Sequence, residues 1–121
     1  MEIKVHQYDK QIIAEVISDS LVIANLEDGI DLVGNLYYQG FDKVMIEKDI
    51  ITEQFFDLKT KLAGEILQKF SNYKIKLAIV GDFSKYESSS LKDFIFESNK
   101  HGHIFFVDSK PEAIERFLKY N

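Results

Sequence analysis

Ile75-Lys76-Leu77-Ala78-Ile79-Val80, closed by Gly81, is the stretch on which the fold turns. It is short, almost wholly apolar and stopped by glycine, as expected for a strand covered on both faces in the middle of a parallel sheet. Downstream, Ile104–Val107 reads as a last strand, and upstream Lys43–Glu47 reads as a short one. Between these strands the apolar period changes to that of a helix. From Thr52 to Asn72 the stripe is Phe55, Leu62, Ala63, Ile66, Leu67 and Phe70, with Asp57, Lys61 and Gln68 on the other face. A loop from Asp82 to Ser89 leads to a helix over Leu91–Lys100 with Leu91, Phe94, Ile95 and Ser98 inward. Ser109 and Glu112 form a capping box around Pro111 and open a final helix that buries Ala113, Ile114, Phe117 and Leu118.

Toward the N-terminus, Glu2–Tyr8 alternates, with Ile3 and Val5 on one face and Lys4 and His6 on the other. Gln11–Ile17 is a second β-rich run, and Tyr8-Asp9-Lys10 reads as the tight turn of a hairpin. Leu21–Ile23 is either a strand stub or a buried connection. Asn25 then caps a helix, with Asp28 three residues on, and Leu26, Ile30, Val33 and Tyr37 follow at helical spacing. Gly29 and Gly34 weaken this helix, and Gly40 ends it. The order is ββαβαβαβα: a single α/β domain over 1–121, with a mixed, mostly parallel sheet of about five strands and four helices.

The composition narrows function by exclusion. There is no Cys, which removes disulfides, thiolate chemistry and cysteine-based zinc sites. The net charge of −5 and the single arginine, Arg116, argue against nucleic acid as a partner. No apolar run approaches the roughly 20 residues of a membrane span, and no signal-peptide pattern precedes Glu2, so a cytoplasmic protein without a membrane partner is expected. There is no G-x-S-x-G elbow, no P-loop and no G-x-G-x-x-G after a strand. No catalytic residue, cofactor or metal is therefore assigned.

Phe55-Phe56-Asp57-Leu58-Lys59-Thr60-Lys61-Leu62-Ala63-Gly64-Glu65-Ile66-Leu67-Gln68-Lys69-Phe70 resembles a family of small bacterial proteins catalogued as a domain of unknown function. The resemblance continues through Lys76–Ser84, Leu91–Asn99 and Ile104–Val107, and so covers most of the chain. A wider resemblance, in element order, is to the STAS fold of anti-sigma-factor antagonists. It implies an STAS-like domain that acts by binding a partner and carries a phosphorylatable hydroxyl near a helix start. Between Lys48 and Gly64 the only Ser or Thr hydroxyls are Thr52 and Thr60. Asp57-Leu58-Lys59-Thr60 stands where that fold has Asp-Ser-Ser-Gly.

In open α/β sheets ligands sit beyond the carboxyl ends of the strands. Those ends here offer Thr52, Asp57, Lys59, Thr60 and Glu65 in one segment, and Asp82, Ser84 and Tyr86 in another. The hydroxyls suit an anion, and Asp49, Asp57 and Glu65 suit acid–base work or a cation if they converge. The structural alternatives are capping by Ser89 or Ser90, a turn closed by Asp82, and dipole compensation by acids. His101 and His103 share a face only if both lie on a strand. Tyr37, Tyr38, Phe41, Phe55, Phe56 and Phe83 exceed the obvious needs of a small core, which suggests an interface and a homodimer. The leading expectation is a non-enzymatic protein-interaction or regulatory domain. The alternative is a small-molecule or anion-binding protein, or an enzyme, working through the polar strand-end loops.

Overall fold

Glu2–Tyr8 (β1) and Gln11–Ile17 (β2) form an antiparallel hairpin, in register from Glu2 opposite Ile17 to Tyr8 opposite Gln11. β2 pairs in parallel with Lys43–Glu47 (β3), β3 with Lys76–Val80 (β4), and β4 with Ile104–Val107 (β5). The sheet order is β1-β2-β3-β4-β5. Leu26–Tyr38 (α1), Leu62–Asn72 (α2) and Ser89–His101 (α3) connect successive parallel strands, and Lys110–Lys119 (α4) follows β5. These elements come from a computed structural model, which describes residues 1–119; positions 120 and 121 of the expected 1–121 domain lie outside them. The chain is a mixed α/β domain with one five-stranded, mostly parallel sheet and four helices.

Each crossover steps one strand in the same direction, so a constant right-handed sense sends α1, α2 and α3 to one face. The core divides accordingly. Val44, Ile46, Leu77, Ile79, Ile104 and Phe106 point toward the apolar faces of α1, α2 and α3. Their neighbours in sequence, Met45, Ala78, Val80, Phe105 and Val107, point the other way and pack with Ile13 under Ala113 and Phe117 of α4. Because both faces are covered, β3, β4 and β5 are apolar throughout their middles, which is why β4 could be read directly. On the second face α4 packs chiefly over β3, β4 and β5.

Helix α1 is rotated relative to the stripe expected for it. It buries Gly29, Leu32, Val33 and Leu36, so Ile30 and Tyr37 face outward. The cause is the contact with α2: a Cβ at Gly29 would stand 2.6 Å from Ile66 Cδ1. Gly29 thus packs helix against helix, not helix against sheet. Gly34 and Gly64 have nothing within 4 Å of a Cβ position. Gly34→Ala and Gly64→Ala are each expected to stabilise the domain by about 0.5–1 kcal/mol, through helix propensity and a less flexible unfolded chain. Gly29→Ala should lower stability despite the same propensity gain, because Ile66 is fully buried and cannot step aside freely. Urea midpoints of the three variants would check the opposite signs.

The helix expected over Thr52–Asn72 is broken. Two 3-10 turns, Glu53–Phe56 and Leu58–Thr60, precede α2, and Lys61 at φ 65° separates them from it. Local side chains hold the break. The Thr52 hydroxyl accepts from Gln54 N–H at 3.4 Å and Asp57 accepts from Lys59 N–H at 3.2 Å. The Thr60 hydroxyl donates to the carbonyls of Gln54 and Asp57 at 2.8 and 2.9 Å. Such short polar side chains compete with the helical hydrogen-bond ladder. Ile23 makes an isolated parallel bridge with Ile51, so Leu21–Ile23 is a strand stub of a single residue pair. Ser88, not Ser89 or Ser90, caps α3, accepting from Leu91 N–H at 3.2 Å. Asn25 caps α1 as expected, and Ser109 accepts from Glu112 N–H at 3.3 Å in the expected capping box.

Candidate functional site

The carboxyl ends of β3 and β4 present a charged cluster on the α1–α3 side of the sheet. Lys48, in the turn after β3, is largely buried because its stem lies over Gly81, where a Cβ would stand 2.7 Å from Lys48 Cγ. Its Nζ is 3.8 Å from Asp49 and 3.9 Å from Glu53, and 5.6 Å from the centre of the Tyr86 ring. Glu53 accepts from the Tyr86 hydroxyl at 2.9 Å and from Lys85 at 3.4 Å. Burial pushes the Glu53 carboxyl up, but the bonds from Tyr86 and Lys85 outweigh it and hold the group below its ordinary value. Burial and the bond to Glu53 raise the Tyr86 phenol far above its ordinary value, so it stays protonated and a donor. Asp82 accepts from the hydroxyl and the N–H of Ser84, at 2.6 and 2.9 Å, which lowers its carboxyl.

The structure therefore brings Asp82, Ser84 and Tyr86 beside Glu53 and Lys48, and separates them from the other expected site residues. Asp57 and Lys59 line a different groove of about 460 Å³ with Leu58, Ser88 and Ser90. Thr52 and Thr60 spend their hydroxyls on the 3-10 turns. Glu65 lies on α2 at a third place, facing α1. Asp49, Asp57 and Glu65 do not converge. His101 is the last residue of α3 and Gly102, at φ 75°, turns the chain before His103, so the two histidines share no strand face. Burial lowers the His103 imidazole below its ordinary value.

The aromatic residues divide by depth. Phe55 and Phe56 are buried, in contact at 5.0 Å between ring centres, and Phe56 stacks on Tyr86. Phe41 and Phe83 are half-buried against the main core. Phe55, Phe56 and Phe83 pack together at the carboxyl ends of the strands, and Phe41 packs on the core just before β3, so these four are core material, not an exposed seam. Tyr37 and Tyr38 are exposed, Tyr38 at 92%, and Tyr37 lies against Tyr73 with ring centres 5.0 Å apart.

Two features escaped the sequence. The first is a groove of about 440 Å³ between α1 and α2, lined by Leu26, Ile30, Gly64, Glu65, Gln68, Lys69 and Asn72. It exists because α1 is turned so that Ile30 faces outward, 40% exposed, while Gly64 supplies no side chain to cover it. The second is an ionic cluster on the α4 face. Glu15 of β2 is 5% exposed, bonded to His6 Nε2 at 2.8 Å and to Lys110 Nζ at 2.5 Å. Lys110 also reaches Glu47 at 3.2 Å. A carboxylate between Ala14 and Val16 was the visible signal for it; Lys110, from the far end of the chain, carried none.

Fold and surface together define an α/β domain whose distinguishing features are an apolar helix–helix groove and a self-paired set of strand-end charges. The chain belongs to the family described as Domain of unknown function (DUF4180), whose model matches residues 8–117. No match is found among curated proteins. No helix of the described residues is long and apolar enough to cross a membrane.

Proposed function

We propose that this is a non-enzymatic interaction domain that receives an amphipathic helix of a protein partner in the groove between α1 and α2. The apolar groove itself carries the reading: exposed Ile30 and half-buried Leu26 lie beside a glycine-lined gap, the arrangement that helix-in-groove recognition uses. Two helix-interior glycines, Gly34 and Gly64, weaken their helices with no internal packing that calls for them. Close approach of a partner backbone would supply that use. The groove's charged lining is one acid, Glu65, and one base, Lys69, so the fitting partner helix is selected by its apolar anchors, with polar residues of either sign at their flanks. The strand-end loops are a weaker basis for a ligand site, because Lys48, Glu53, Lys85 and Tyr86 already satisfy one another.

The test is site-specific photo-cross-linking in cells from position 68, which lines the groove. A discrete adduct is expected, mapping to an amphipathic helix and lost when Gly64→Leu fills the groove. Space at Gly64 makes that variant tolerable to the fold, which circular dichroism would verify. No adduct, or an adduct indifferent to Gly64→Leu, would sink the reading.

A further inference from the structure

The seven residues of β1 form an edge strand, paired with β2 on one side and with no other strand of the described residues on the other. Open edges of this length template further pairing unless something blunts them. No Pro interrupts β1, its pairing with β2 runs unbroken from Glu2 to Tyr8, and Val5 at its centre is 52% exposed. Two-fold antiparallel pairing of two such edges must match even positions with even and odd with odd, because each parity occupies one face. That leaves a small set of registers.

Centred on Val5, the pairing opposes Lys4 to His6; centred on Lys4, it opposes Glu2 to His6 and Ile3 to Val5 but sets Lys4 against Lys4; centred on His6, it opposes His6 to His6 and leaves Glu2 unmatched. Centred on Ile3, it opposes Glu2 to Lys4 twice over, by symmetry, on the α4 face. On the other face the same register matches Ile3 with Ile3 and exposed Met1 with exposed Val5. This register alone combines opposite charges on one face, with no like charges opposed, and apolar pairs on the other, and it leaves His6, Gln7 and Tyr8 beyond the paired segment. We propose that the occupant of the β1 edge is a second copy of this chain, joined antiparallel about Ile3 so that two five-stranded sheets become one of ten strands. This goes beyond the groove reading and does not depend on it, since the groove is lined by α1 and α2 and not by β1.

A charge exchange tests it on the full chain. Sedimentation equilibrium of the unaltered protein over a concentration series is expected to show a monomer–dimer equilibrium. Glu2→Lys alone, or Lys4→Glu alone, opposes like charges at both symmetric pairs and should weaken dimerisation by about 10- to 100-fold. The double variant E2K/K4E restores both pairs and should restore the dimer. Glu2 and Lys4 are exposed, so all three variants should fold, with circular dichroism as the check. A strictly monomeric unaltered chain would overturn the proposal. So would a dimer that ignores the single reversals, or single losses that the double variant fails to recover.

Discussion

Phe117→Ala is expected to cost about 3–5 kcal/mol, a third or more of the stability of an ordinary domain. Phe117 is fully buried and meets Phe105 edge to face, with ring centres 5.9 Å apart. Its position makes the loss harder to absorb than at an equally buried residue of the other core. The α1–α3 face is covered by three helices, whose side chains can shift to share a void. Among the described residues the opposite face has α4 alone, and within it only Ala113 and Phe117 are fully buried. Removing the ring leaves a cavity bounded by β-sheet on one side and a ten-residue helix on the other. Such a helix is marginal without packing, so α4 should loosen from the sheet as a unit. Two measurements check this: the denaturation midpoint, and amide exchange in α4 compared with α2. Phe96→Ala is the control, since Phe96 is 60% exposed and should change stability by no more than about 0.5 kcal/mol. A cost below about 1 kcal/mol at Phe117 would mean that α4 is not held by its apolar face.

That two-sided arrangement also explains what could be read from the chain. Ile75–Val80 was legible because burial on both faces erases the alternation that half-covered strands show. Helix α4 was legible because Ser109, Pro111 and Glu112 mark its start and its apolar residues recur at helical spacing. The rotation of α1 was not legible: Leu26, Ile30, Val33 and Tyr37 and the true set Gly29, Leu32, Val33 and Leu36 have the same period. Only the fit of Gly29 onto Ile66, a contact between distant segments, separates them. The broken stretch before α2 failed for a local reason. Its apolar spacing continues, while Thr52, Asp57 and Thr60 bond to the backbone and interrupt the helix.

The site residues divided along the same line. Asp82, Ser84 and Tyr86 were placed correctly at a strand end, because strand ends follow from element order. Their partners Lys48 and Glu53 were missed, because which side chains meet there depends on how three turns pack. That His6 and Glu15 share a face and meet was not legible, since that needs the register of the hairpin. The consequence for function is that charges crowded at the strand ends are neutralised internally, whereas the groove at α1 and α2 is left apolar and open. Physical availability therefore favours the groove over the loops that the chain order first singles out.

Lys110→Ala is expected to cost about 1–3 kcal/mol at neutral pH and progressively less in acid, because it strips a buried carboxylate of its closest cation. Lys110 is itself partly exposed and water can take up some of the loss, which sets the cost toward the lower end of that range. The sign of the pH effect follows from the two partners. Burial raises the Glu15 carboxyl, but the bonds from Lys110 and His6 more than offset it, leaving the folded value below the ordinary 4.5. Its contribution is thus present above about 4.5 and lost as pH falls through the lowered folded value. Lys110 is shifted up from 10.5, chiefly by its bond to Glu15, so its contribution is full below 10.5 and lost as pH rises through the raised value. Wild type and variant should therefore differ most between these limits and converge on acidification below about pH 4.5. Lys110→Met paired with Glu15→Gln should recover part of the loss, because a neutral pair leaves no stranded charge. Urea titrations at several pH values from 3 to 9 would read both trends. A difference that stays constant across that range would show that Lys110 serves α4 by its methylene stem alone and that Glu15 is held by His6.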